Sequence, residues 1–221
     1  MSTGVASETS LTSSNSPTLD IRVQPSQNGA QISSAEFRRH FTVADFEKLH
    51  ELGFIDEDEQ RFELLDGDLV PMSRPLPPHT SCVNRLTRLF GKLGDRASVV
   101  IQNPIFLGDM TQPQPDITLA RLQEDGYELG HPQPKDIFLA VEVMDSSHYK
   151  DRGYKLPLYA RMNIRETWLV DLPGGMLEVY RKPLNGLYTE SLILLRGHKI
   201  SPEAFPDLVL AVSSVLSRVE S

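Results

Sequence analysis

Three residues in the second half of the chain are of types that do chemistry, in surroundings that have to accommodate them. Asp116 opens the apolar segment "DITLA" directly after "QPQP", and the prolines there cannot pair in a ladder before the strand begins. Its carboxylate belongs near a sheet edge or end, unless it merely closes a loop. Glu142 sits inside "FLAVEVM", where a buried carboxylate is costly until it is paired, hydrogen-bonded or bound to a metal. An arginine partner would make it a structural ion pair. If Asp116 lies on the neighbouring strand, the two carboxylates could instead converge on one hard cation, which takes oxygen ligands and retains waters. Lys155 stands four residues after Asp151, so the two share a face if the segment is a continuous helix. Pro157 complicates that helix. Either it begins near Gly153, leaving Lys155 in the opening turn beside the end of Glu142's strand, or it kinks. The plainer reading of Lys155 is a solvated surface lysine. Together, two carboxylates and a nearby ammonium make the constellation of a metal-dependent phosphodiester hydrolase. The metal would polarise a water and screen phosphate, and the ammonium would meet developing charge.

The elements that must position these groups follow from local pattern. "FTVADFEKLHELG" has Thr42 as N-cap, Asp45 three residues on, and Val43, Phe46, Leu49 and Leu52 at helical spacing before Gly53. "QRFELLDGDLVPM" places Asp66-Gly67 between two short apolar segments, the signature of a tight β-hairpin. In "HTSCVNRLTRLFGKLGDR", Val83, Leu86, Leu89, Phe90 and Leu93 form an apolar stripe, with Arg85, Arg88 and Lys92 elsewhere on the helix. Strands are then expected in "SVVIQNPIFLG", "DITLAR" and "DIFLAVEVM", the last apolar on both faces and so central. A helix in "YKLPLYARM" ends near Asn163, and three more strands follow in "ETWLVDL", "MLEVYRKP" and "YTESLILLR". The order is that of a mixed α/β domain.

Composition sets the outer bounds. Residues 1–35 are rich in Ser, Thr, Asn and Gln and cannot bury enough apolar surface to order, so a disordered tail is expected ahead of a domain over 36–221. No apolar run approaches the ~18 residues of a membrane helix, and the start lacks a secretion signal, which points to the cytosol and to no membrane partner. With one cysteine, Cys82, no intrachain disulfide or Cys-rich zinc motif can form. The net charge of −8 disfavours a simple nucleic-acid-binding module but not a nuclease, because an acidic cluster attracts phosphate once it holds a divalent ion. A rival reading is a nuclease-like scaffold for binding or assembly. It is favoured by the acidic balance, the long tail and the lack of a basic groove beyond the helix of Arg85, Arg88 and Lys92.

The segments "RFELLDGDLVPM", "PPHTSCVNRL", "VVIQNPIFL", "QPQPDITL" and above all "VEVMDSSHYKDRGYKLPLYARMNIRETWLVDL" resemble the Uma-type restriction endonucleases, a branch of the PD-(D/E)xK nuclease superfamily. The likeness covers roughly residues 40–215. It implies a restriction-endonuclease-like core with a central mixed β-sheet flanked by helices, a Mg²⁺ or Mn²⁺ cofactor, and hydrolysis of nucleic-acid phosphodiesters, DNA foremost. Homodimers are a superfamily expectation, and "ETWLVD" and "MLEVYRK" offer a candidate edge for one. Asp116 matches the family's Pro-Asp motif and Glu142 its third-motif glutamate, the two metal ligands. The superfamily lysine usually stands two residues after that glutamate, where this chain has Met144. The family moves it onto the following helix, where Lys155 matches. Glu63, His79 and Gln102 fall on recurrent positions around the site. At a helix start His79 could equally cap or lie exposed, whereas Gln102 needs a hydrogen-bond partner wherever it is buried. Asp145, Ser146 and Ser147 fit loop-shaping and capping, and Ser147 with His148 is a poor nucleophile-base pair because sequence neighbours rarely reach the required geometry.

Overall fold

The structure, a computed structural model, describes residues 40–145 and 150–216. The tail expected over 1–35, and Ser146, Ser147 and His148, lie outside the described residues. Helix α1 (Val43–Glu51) opens with the expected capping box: the Asp45 amide donates to Thr42 Oγ1 at 3.1 Å and the Thr42 amide to Asp45 Oδ2 at 3.0 Å. Strands β1 (Phe62–Leu65) and β2 (Asp68–Pro71) form the hairpin, with Asp66 and Gly67 at φ +49° and +84° in its turn. Helix α2 (Pro77–Phe90) starts two residues earlier than His79, since proline fits a first helical turn whose N–H groups lack partners anyway. It buries Cys82, Val83, Leu86 and Phe90.

Six strands make the main sheet, in spatial order β3 (Ser98–Ile101), β4 (Ile117–Ala120), β5 (Ile137–Met144), β6 (Glu166–Asp171), β7 (Met176–Leu184) and β8 (Leu187–Leu194). Every pairing is antiparallel except β5 with β6. A parallel pair requires a crossover rather than a hairpin. That crossover holds the π-helical turn Asp151–Lys155 and helix α3 (Leu156–Arg161). Pro157 thus falls in the first turn of α3, while the helical run itself begins earlier. The turn before it is widened, with the Leu156 amide reaching back to the Asp151 carbonyl, and proline, which has no N–H to place, follows.

Alternation along β5 separates two cores. Leu139, Val141 and Val143 join α2, Trp168 and the C-terminal segment, whereas Ala140 packs with Leu158, Tyr159 and Ile164 of the crossover. By the same period Glu142 faces the crossover side. Two short strands, β9 (Lys199–Ile200) and β10 (Leu210–Ala211), and helix α4 (Val212–Val215) were not expected; Leu210, Val212 and Val215 close the first core. Cys82 is buried packing: its thiol meets the Val215 carbonyl at 3.4 Å, and burial pushes it up to about 12.

Two expectations need correction. "SVVIQNPIFLG" is strand only over Ser98–Ile101, because Gln102 takes φ +49° and turns the chain out of the ladder. "ETWLVD" and "MLEVYRK" offer no edge, since each pairs on both sides; β3 and β8 are the outer strands. No helix among the described residues is long and apolar enough to cross a membrane.

The hairpin turn has no room for a side chain. A Cβ on Gly67 would lie 2.6 Å from His40 Cβ and 2.7 Å from Met110 Cε, at a φ that side chains resist. Gly67→Ala is therefore expected to lower stability by about 1–3 kcal/mol, read from the urea midpoint. An unchanged midpoint would show that the turn gives way freely.

Candidate active site

One row of side chains crosses three strands at the end of the sheet. Ile117 faces Ile101 on β3 and Val141 on β5, so one step onward Gln102, Asp116 and Glu142 stand side by side. Directly opposed residues of antiparallel strands hold their Cβ atoms about 5 Å apart on the same face. The Gln102 amide confirms the register by donating to the Asp116 carbonyl at 3.1 Å. The Asp116 carboxylate is fixed from three sides. Gln102 Nε2 donates to Oδ1 at 3.1 Å, the Val143 amide donates to Oδ2 at 2.8 Å, and His79 Nε2 lies 3.0 Å from Oδ1 and 3.1 Å from Oδ2. The left-handed backbone of Gln102 is held by its own carbonyl, which accepts from Gln114 Nε2. His79 therefore belongs to the site, delivered by the first turn of α2.

The second cluster centres on Lys155. Its ammonium lies 2.9 Å from Glu63 Oε2 and 3.1 Å from Glu142 Oε1, with the Gln114 carbonyl at 3.5 Å. Glu142 Oε1 also accepts from the Tyr159 hydroxyl at 2.5 Å. Glu63 arrives from the hairpin, which is tied to the loop before Asp116 by the Leu64–Gln112 bridge. It accepts the Gln114 amide at 3.2 Å and pairs through Oε1 with Lys150 at 2.8 Å. Met144 is fully buried, so no cation stands two residues after Glu142; the ammonium beside that carboxylate comes from the crossover.

Charge is unbalanced here. Glu63, Glu142 and Asp151 are buried and Asp116 nearly so, against Lys155, the partly exposed Lys150 and the His79 imidazole, whose proton burial opposes but Asp116 favours. Burial would raise Glu63, but Lys155 and then Lys150 hold it below the ordinary carboxylate range. Burial would likewise raise Asp116, yet His79, the Val143 amide and Gln102 hold it low. Glu142 is the uncompensated one. Burial, only partly offset by Lys155, and then the carboxylates of Asp151, Asp116 and Glu63 push it up to about 8. Burial opposes the charge on Lys155, but Glu142, Glu63 and Asp151 outweigh it and keep the ammonium protonated.

Asp116, Glu142, Asp145 and Asp151 line one cleft with Lys150 and Lys155. Among the described residues no three His, Cys, Asp or Glu side chains converge tightly enough to cage a metal unaided. A Mg²⁺-type ion does not need such a cage, since one or two carboxylates, waters and substrate phosphates complete its shell. The adjoining carboxyl groups of Asp116 and Glu142 fit an ion of that kind, whose charge would favour release of the proton that burial keeps on Glu142.

All six residues singled out in the sequence, Glu63, His79, Gln102, Asp116, Glu142 and Lys155, come together. Lys150, Tyr159 and Gln114 were missed. Tyr159 had a readable signal, standing one helical turn after Lys155; Gln114 and Lys150 had none, because only the folded chain brings them to Glu63.

The Uma2 family model, described as "Putative restriction endonuclease", matches residues 43–213. Five solved chains match the structure, among them a putative nuclease belonging to DUF820 from Anabaena variabilis ATCC 29413. That chain is 17% identical, with a TM-score of 0.59 over 76% of this chain and 96% of its own, a likeness in fold. No curated protein matches the sequence.

Removing the shared ammonium leaves two carboxylates buried without their cation. Lys155→Met is expected to cost about 3–5 kcal/mol in urea denaturation, and a loss below about 1 kcal/mol would mean that water compensates both. Glu142 gives a pH signature. In the folded chain it keeps its proton up to about 8, against 4.5 when unperturbed, so the unfolded chain loses that proton first and the group's contribution to stability falls across that window. In chelator, Glu142→Gln is expected to lose less stability than the parent between about pH 5 and about pH 8, and parallel urea midpoints would refute the raised value.

Proposed function

The chain belongs to the Uma2 family of putative restriction endonucleases, and from that premise we propose that it is a divalent-metal-dependent nuclease hydrolysing nucleic-acid phosphodiester bonds, DNA foremost. The observation that carries the reading is the facing pair Asp116 and Glu142 at the sheet end, with the Lys155 ammonium on the glutamate. In this reading Asp116 and Glu142 hold Mg²⁺ or Mn²⁺. The bound ion supplies Lewis-acid polarisation of the phosphate and a more acidic water.

The chain's own groups do the positioning. His79, Gln102 and the Val143 amide keep the Asp116 carboxylate ionised and oriented, as a ligand held by outer partners must be. Glu63 pairs with Lys155 beside Glu142, so the ammonium stays charged in a buried place and can meet negative charge that grows on the phosphate. Tyr159 fixes the Glu142 oxygen that Lys155 shares.

Purified protein incubated with single- and double-stranded DNA and RNA is expected to cleave with Mg²⁺ or Mn²⁺ and not with chelator. Asp116→Asn and Glu142→Gln should each lower the rate at least about 100-fold, the loss of roughly 2.7 kcal/mol of transition-state stabilisation. Cleavage that survives chelation, or persists in both variants, overturns the assignment. Absence of both cleavage and divalent-ion binding in calorimetry would leave a nuclease-like scaffold instead.

A further inference from the structure

The cleft adjoins two openings that meet at Pro75, and they differ in charge. One leads past Glu57, Asp58 and Glu59. The other runs along α2 in a trough lined by Thr80, Ser81, Asn84, Arg85 and Arg88, with no acidic residue in its lining. Positions 81, 84, 85 and 88 recur at three- and four-residue spacing, so they form one stripe of the helix, while Cys82, Val83, Leu86 and Phe90 bury another. We propose that this trough seats the nucleic-acid strand on one side of the scissile bond, with Arg88 in the trough and Arg74 in the adjoining cleft as its phosphate contacts. The inference rests on the nuclease reading of the cleft.

Availability singles out these two arginines. Arg85 is committed to the fold: its Nε and Nη2 donate to the Val215 carbonyl at 3.1 and 3.0 Å, and its Nη1 to Ser81 at 2.7 Å. Arg61 donates to Gln114. Arg74 and Arg88 are exposed and form no hydrogen bond or ion pair among the described residues. On a chain of net charge −8, two uncommitted cations beside an acid-free trough select phosphate locally. The opening past Glu57, Asp58 and Glu59 sets those three carboxylates against Arg61 and Arg74 and so favours the same backbone less.

The dimensions agree. His79 touches Asp116, and Arg88 lies nine residues further along α2, about 13 Å at 1.5 Å per residue. Duplex advances about 3.4 Å per nucleotide, so the trough spans about four nucleotides. The strand would therefore be held from the reacting phosphate outward in one direction only.

Fluorescence anisotropy of labelled DNA and RNA oligonucleotides, single- and double-stranded, tests this on the Glu142→Gln chain in Mg²⁺ over a salt series. Arg74→Gln and Arg88→Gln should each weaken binding about 3- to 10-fold and lower the salt slope by about one, with unchanged melting temperatures. Glu59→Gln at the other opening should leave the slope unchanged. With the parent chain, trimming the substrate to fewer than about four nucleotides should slow cleavage on one side of the scissile bond only. Parental affinity and slope in both arginine variants, no binding by the Glu142→Gln chain, or equal sensitivity to trimming on both sides overturns the proposal. If the parent cleaves but the arginines do not matter, the trough fails and the nuclease reading stands. Arginine-dependent binding without cleavage upholds the trough as a strand-binding surface and removes the nuclease reading.

Discussion

One ammonium shared by two buried carboxylates holds this site together. Glu63 comes from a hairpin, Glu142 from the central strand and Lys155 from the crossover, and the ammonium keeps its charge in a buried place because both carboxyl groups meet it. The hairpin, sheet and crossover therefore have to dock in one relative arrangement. One cation cannot fully offset two carboxylates, and Lys150 assists only Glu63. What remains is a Glu142 carboxyl that keeps its proton up to about 8 beside Asp116, a pairing that an added cation would suit.

The topology explains why the lysine comes from a helix. β5 and β6 run parallel, so the chain leaving β5 after Met144 must return over one face of the sheet before β6 can begin. That return passes directly over Glu142. The widened turn Asp151–Lys155 absorbs Pro157 while Leu158 and Tyr159 dock against the sheet, and Lys155 is thereby lowered onto the carboxylate row. Met144, in the strand itself, is free to pack.

Much of this was legible in the residues, and the limit falls where contacts become non-local. The α1 capping box and the Asp66-Gly67 turn are decided within four residues, so pattern alone finds them. Glu142 stood out because the cost of burying a carboxylate is read from its immediate neighbours. Strand order was not readable, which is why "ETWLVD" and "MLEVYRK" passed for an edge although both lie inside the sheet. Gln102 looked like the middle of a strand, because nothing in a glutamine announces a left-handed backbone; Asp116 and Gln114 impose it. Lys150 is an ordinary residue type that only the crossover turns toward Glu63, whereas Tyr159 stands one helical turn after Lys155.

The Glu63–Lys155–Glu142 triad also has a kinetic meaning. Its members span 92 positions of chain, from 63 to 155, so the link cannot form until the hairpin and the crossover have both closed long loops. The hairpin turn and α1 need no such closure. The chemistry-bearing end of the molecule is thus among the last parts to assemble, and a chain that has its secondary structure but has not yet docked the crossover carries all the reactive groups without their arrangement.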